Sequence, residues 1–465
     1  MLIRSAEELR LARAALASGN PDALDRLTAT GVFAPDLALR EAARAVVLDE
    51  VRAVGLYPAS IHALYLARGR GDAPHDFTVP AVNLRGMVYD SARALFRARK
   101  ALDAGAVICE IARSEITYTD QRPGEFAFVV LAAALREGWR GPVFLQGDHF
   151  QINAGKYATD PAGELEAVHR LIAEGLAAGF YNIDIDTSTL VDLGAAGHSA
   201  QQQRNGELCA ALLAYVRALE PAGVTVSVGG EIGEVGGRNS TAEEMVSFME
   251  VFARALASSA PNAPGLSKIS IQTGTSHGGV PLPDGSVAPV QLDFETLGAL
   301  SRIARERYGL AGAVQHGAST LPAALFDRFP AHEACEIHLA TEFQNLLFDH
   351  PAFPGILRDA MHARLRVEAA GERKAGDTEE QFLYKTRKRA LGTFKRELWS
   401  LPLPIRQAIG ATLEDKFRTL FTQLRVTGTR ALAERWSPPV PGAFPGVGSL
   451  AAAAHAPEDI TGLHD

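Results

Sequence analysis

Pro142-Val143-Phe144-Leu145-Gln146-Gly147-Asp148-His149 is a short apolar run that closes on an acid and an imidazole. Glycine stands on either side of the run, which reads as a buried strand. An ionisable pair at the end of a buried strand is costly unless something there uses it. Three further runs end the same way: Gly229-Gly230-Glu231-Ile232-Gly233, Thr275-Ser276-His277-Gly278-Gly279 and Gln315-His316-Gly317-Ala318-Ser319. Side chains on four different strand exits converge only if the strands run side by side in one direction.

Working outward, apolar runs recur at 77–84, 106–112, 142–147, 182–186, 224–230, 267–273, 312–316 and 335–340. Helical patterns separate them: Tyr89–Leu102, Glu125–Glu137, Pro161–Ala178, Gln201–Leu219, Thr241–Ala257, Phe294–Tyr308 and Pro322–Phe329. Eight strand–helix units with parallel strands predict an α/β fold, a closed (β/α)8 TIM barrel, over residues 77–345. The unusual polar residues sit at the strands' C-terminal ends, where such barrels keep their active sites. Residues 1–70 read as a helical N-terminal extension, opened by the capping pair Ser5 and Glu8. Residues 346–436 read as a helical C-terminal extension, with Glu372–Arg396 a charged helix and Pro402–Leu424 another. Residues 437–465 form a Pro/Gly/Ala-rich tail.

The chain has 465 residues, 47% of them hydrophobic, and a net charge of −8. That charge, with no basic stripe, argues against a nucleic-acid partner. Cys109, Cys209 and Cys335 are too few and too scattered for a disulfide framework or a cysteine zinc site. No run of eighteen apolar residues exists, so no membrane span is expected. Met1-Leu2-Ile3-Arg4-Ser5-Ala6-Glu7-Glu8 meets acids too early for a signal peptide, and the cytoplasm is the expected compartment.

Placed on the barrel, His149 ends the third strand, Glu231 the fifth, His277 the sixth and His316 the seventh. A lone histidine at a strand end is ordinarily a hydrogen-bonded structural residue. Four such groups at like positions make coincidence a poor explanation. Three imidazoles and a carboxylate are the usual ligand set of a catalytic Zn2+, a Lewis acid for a carbonyl oxygen. Asp148 either caps a neighbouring helix or, beside a metal ligand, moves a substrate proton. No His-x-His pair or His-Glu-x-x-His helix supports a zinc hydrolase instead.

Asp148-His149, Ile185-Asp186-Thr187-Ser188, Glu231 to Gly237, Gly274-Thr275-Ser276-His277-Gly278 and His316-Gly317-Ala318-Ser319 resemble, in order and spacing, the motifs of the class II, zinc-dependent fructose-bisphosphate aldolases. Val79-Pro80-Ala81-Val82-Asn83-Leu84 resembles that family's first strand. The resemblance implies zinc on His149, His277 and His316, with Glu231 as fourth or alternate ligand. It also implies Asp148 as the acid/base, Asp186 just behind the ligands, and reversible aldol cleavage of a ketose through a metal-stabilised enediolate. Asn83, Gly278, Gly317 and Ser319 would meet substrate. A monovalent cation is a second candidate cofactor, a sugar or sugar phosphate the expected partner, and a homo-oligomer the expected assembly.

The sequence departs from that pattern at the substrate end. Arg238-Asn239-Ser240 follow Gly236-Gly237 where relatives carry an acidic loop, and Ala112 stands where they have serine. His338-Leu339-Ala340-Thr341-Glu342 replaces Asn-x-Asp-Thr-Asp after the eighth strand. His338, Arg113 and Arg238 are therefore further candidate substrate contacts, and Glu342 is expected to repel a second phosphate. The long helical C-terminus, the short loop after Gly236-Gly237 and Glu110 are also similar to the non-catalytic accessory subunit of tagatose-bisphosphate aldolase, the alternative reading.

Overall fold

The computed structural model describes residues 2–233, 238–274, 292–440, 442–446 and 458–463. Among the described residues nine strands form one sheet: β1 (Leu56–Ala59), β2 (Val79–Asn83), β3 (Ile108–Ala112), β4 (Gly141–Gln151), β5 (Asn182–Asp186), β6 (Ser227–Glu231), β7 (Lys268–Ile271), β8 (Ala313–Gln315) and β9 (Glu336–Leu339). Every pairing is parallel, in the order β1-β4-β3-β2-β9-β8-β7-β6-β5, and a further β4–β5 pairing closes β2 to β9 into a barrel. All eight expected strands are present. The fold is a (β/α)8 barrel with helical extensions, and its buried core runs from the barrel strands into the surrounding helices.

Local chemistry sets the helix ends. Pro161–Ala177 begins with proline after the N-cap Asp160, whose carboxylate accepts the Gly163 N–H. Thr241 and Glu244 make a reciprocal capping box for Ala242–Ser259. Phe294–Tyr308, found at its expected bounds, is capped by Asp293 and stopped by Gly309 in the left-handed region.

Three expectations need correction. Residues 1–70 are not all helical: β1 adds outside the ring, pairing Leu56–Ala59 with Gly141–Phe144. Only four residues long and carrying Pro58, it has the character of an edge strand and too short a period to stand out. Pro322–Phe329 holds only a 3-10 turn, Ala323–Leu325, and Arg328–Ala331 begins at its end. The charged stretch 372–396 is not one helix but short pieces, Glu379–Thr386, Arg387–Arg389, Ala390–Thr393 and a start at Lys395. Leu403–Gln423 does form, burying Phe417, Leu420 and Phe421, and it lies along barrel helix Val88–Ala101.

His62 opens the helix after β1 and is buried. Burial, with Arg217 nearby, pushes its pKa down from 6.5 to about 4. Above pH 6.5 the folded and unfolded imidazoles are both neutral. Between 6.5 and 4 only the unfolded one binds a proton, so stability falls as pH falls through that window, by roughly 3 kcal/mol at most. His62→Gln is expected to remove this part of the acid destabilisation. Urea melts across pH 4 to 7 check it; parallel stability curves for the two proteins would refute it.

Candidate active site

Asp148 and His149 lie near the C-terminal end of β4, where the pairing with β5 slips between Gly147 and Phe150. His149 has φ 41°, a left-handed backbone that a histidine rarely adopts and that persists only where the surroundings fix it. Gly147 permits the bend: a Cβ there would lie 2.4 Å from the Phe150 ring. The two side chains turn into the barrel mouth and are nearly inaccessible, at 4% and 3% exposure.

His149 Nδ1 lies 3.3 Å from Asp186 Oδ2 and 3.6 Å from Glu231 Oε2. Its Nε2 is 3.8 Å from Asp148 Oδ1. The His316 ring lies 4.4 Å from that of His149, and its Nε2 is 3.0 Å from the Ser270 hydroxyl. Potential ligand atoms of Asp148, His149 and His316 all fall within 4.8 Å of one another, as do those of His149, Asp186 and Glu231. Asp186 is held by the Ser188 N–H and hydroxyl and by Gln151 Nε2. His277 and Gly278 lie outside the described residues, as do Glu234 to Gly237.

His338 enters the same cluster from β9. Its ring is 4.0 Å from His316, and its Nδ1 is 3.1 Å from Asp148 Oδ1 and 3.2 Å from Glu110 Oε1. Asn83 donates to the other Asp148 oxygen at 2.9 Å and to Glu115 at 3.0 Å. Asp148 is thus gripped on both oxygens. Burial alone would raise its pKa, but His149 and His338 override that and hold it well below 3.8, so it is ionised. Burial would lower His149, yet Asp148, Asp186 and Glu231 raise it well above 6.5. Glu110 is pushed up to about 8 by burial.

Below the mouth a polar network fills the barrel. Lys268, fully buried, donates to Gln146 and Asp184, each at 2.9 Å, and to Glu336. Gly229 makes room for it: a Cβ would lie 2.4 Å from Asp184 Oδ1. Gln146 Nε2 donates to Glu110 and Glu336, and Tyr65 donates to Glu336. Of these residues, Lys268, Asp184, Glu336 and Tyr65 were not singled out from sequence. Their signal is alternation: Asp184 and Asp186, like Glu336 and His338, are two apart and so share the inward face. Lys268→Met would leave two carboxylates buried without their ammonium. It is expected to cost roughly 3–5 kcal/mol in denaturant melts, and a loss under 1 kcal/mol would contradict that.

The remaining candidates are dispersed. Gly317 has φ 68°, and the Ser319 hydroxyl oxygen accepts the Thr341 N–H at 3.2 Å, tying the β8 and β9 loops together. Arg113 is not brought into the cluster: its guanidinium is committed to Glu164, the Gln151 carbonyl and Glu458. Arg238 pairs with Glu244 in the first turn of the next helix. Glu342 is answered by Lys416 at 3.0 Å, so the expected bare carboxylate is in fact paired from the C-terminal extension.

Fold and site define a parallel barrel whose mouth gathers buried imidazoles around an ionised aspartate. The profile of the class-II fructose-bisphosphate aldolases matches residues 72–395, and the chain belongs to that family. The family supports an aldolase-type enzyme. Among solved structures, a protein from Sinorhizobium meliloti 1021 described as a probable tagatose 6 phosphate kinase is 19% identical, with TM-score 0.52, over 80% of this chain and 96% of its own. The fructose-bisphosphate aldolase of Campylobacter jejuni is 17% identical (TM-score 0.46; 81% and 96% covered), and the YdjI aldolase of Escherichia coli K12 is 12% identical (TM-score 0.46; 78% and 98%). No curated protein sequence matches the chain. No helix among the described residues is long and apolar enough to cross a membrane.

Proposed function

We propose that the protein is a zinc-dependent aldolase that cleaves a ketose carrying at most one phosphate. The carrying observation is the surplus of buried acidic groups at the mouth and directly below it. Glu110, Asp148, Asp184, Asp186, Glu231 and Glu336 bring six carboxyl groups, the pKa values of Glu110 and Glu231 pushed up by burial, to a cluster holding, among the described residues, one ammonium, Lys268, and three imidazoles. Such a donor set fits a dication, which on binding would displace the proton that the carboxylates otherwise keep on His149. His149, His316 and Glu231 would hold it, with His277 the further ligand implied by the family motif. Bound there, zinc supplies Lewis-acid stabilisation of negative charge at a carbonyl oxygen.

Asp148 does the proton work. Ionised, and fixed by Asn83 and His338, it takes the proton from the substrate hydroxyl on the carbon that becomes the aldehyde. The carbon–carbon bond breaks, and its electron pair stays with the ketone-side fragment. The carbon left with that pair takes a proton before the ketone leaves, while Asp148 gives up the proton it holds to reset the site. In the reverse direction Asp148 returns the proton. Asp186 keeps the His149 Nδ1–H directed and so orients that ligand. Ser319, accepting from Thr341, has its own O–H to offer a substrate anion beside the Gly317 backbone.

The phosphate limit follows from the cations. Arg113 and Arg238 are both committed to carboxylates, and Glu342 and Lys416 answer each other. Coupled aldehyde assays should find cleavage of an unphosphorylated or monophosphorylated ketose, abolished by chelator. Fructose 1,6-bisphosphate should be poor, with kcat/KM below about 10⁴ M⁻¹s⁻¹. A bisphosphate cleaved at or above that value would overturn the substrate assignment. The accessory-subunit reading draws on Glu110 and the C-terminal helices. Sedimentation separates the two: a stable homo-oligomer with stoichiometric metal favours the enzyme, and a metal-free chain bound to a second aldolase favours the accessory role.

A further inference from the structure

The short stretch Glu458 to Leu463 lies against the loop that leaves β4. Glu458 accepts from Arg113 Nε at 3.1 Å and from Nη2, Asn153 Nδ2 donates to the Thr461 carbonyl at 2.7 Å, and Lys156 Nζ donates to the Asp459 carbonyl. Ile460 packs against the core. Arg113 itself is buried, with a second carboxylate on its other side, Glu164 at 2.6 Å. Glu164 also accepts the Asn153 N–H at 2.7 Å. The remaining contact is inward: Arg113 Nη1 donates to the backbone carbonyl of Gln151, the last residue of β4, at 2.5 Å. The Gln151 amide then donates to Asp186 Oδ2 at 2.5 Å, the oxygen that lies 3.3 Å from His149 Nδ1.

We propose that Arg113, clamped between Glu164 and Glu458, is a positioning residue for the metal centre, and that the C-terminal stretch is a working part of that centre. The proposal rests on the zinc reading above. Arg113 fixes the end of β4, Gln151 thereby aims Asp186, and Asp186 sets the direction of the His149 ring. A planar guanidinium suits this task, since it can hold two carboxylates and a carbonyl in one fixed fork. His149 needs such support because its backbone is in a conformation the chain would otherwise leave. The Ile152 N–H, bonded to the Asp186 carbonyl at 2.8 Å, ties the same two strand ends together.

Glu458→Gln and a chain ending at residue 457 test this against the unaltered protein. Zinc affinity is measured by competition with a chromophoric chelator, and ligand geometry by the visible spectrum of the Co2+ form. Both variants should bind zinc about tenfold more weakly, the lower end of what partners behind metal ligands contribute, and should shift the cobalt bands. Lys156→Met, which removes a peripheral anchor at Asp459 and keeps the Arg113–Glu458 pair in place, should leave both readouts unchanged. A merely structural anchor would lower the melting temperature and leave zinc affinity within twofold and the cobalt spectrum unmoved; that result overturns the proposal. If the unaltered chain takes up neither metal, the zinc reading fails and this proposal with it, an outcome distinct from equal binding by all forms.

Discussion

His149→Ala and His316→Ala, purified separately, are expected to lose bound zinc and ketose cleavage while remaining folded. Each removes an imidazole from a group of ligand atoms within 4.8 Å of one another. The loss should be roughly 10³-fold or more in kcat/KM, the scale of several kcal/mol of Lewis-acid stabilisation. The barrel should survive because its core is the apolar packing of strands and helices, and a catalytic metal at a barrel mouth does not make the fold. Metal analysis, kinetics and thermal melts together check this. If both variants keep full metal and full turnover, the ligand assignment is wrong.

Asp148→Asn should behave differently: zinc retained, turnover reduced by roughly 10²–10⁴-fold, the usual scale of a lost general acid–base group. The amide is nearly isosteric and can still accept from Asn83, so KM should change less than kcat. His338 would lose one carboxylate partner but keep Glu110 at 3.2 Å and Glu336 at 2.7 Å, which argues against local collapse. Steady-state kinetics beside metal content separate the possibilities. Turnover within threefold of the unaltered protein would remove Asp148 from the proton step.

The barrel was legible because its strands are apolar runs at regular spacing, and the mouth because Asp148, His149, Glu231 and His316 each follow such a run. The interior below the mouth was not. Lys268 and Glu336 sit inside runs that read as hydrophobic on both faces, and only their partners, 84 and 271 positions away in Asp184 and Tyr65, explain their burial. β1 escaped notice because four residues beside helices carry too little period. Arg113 and Arg238 read as candidate substrate contacts from their positions alone, but a long side chain can point several ways, and the carboxylate it finds is a tertiary fact. Glu342 makes the same point through Lys416, 74 positions later. The left-handed backbone of His149 leaves no trace in residue type, since it is not a glycine.

The most direct measurement is the metal content of the purified protein, taken together with ketose cleavage before and after chelation. The account predicts stoichiometric zinc, activity lost on chelation and restored by zinc, and a protein that stays folded throughout. Folded, metal-free protein that still cleaves a ketose would contradict it.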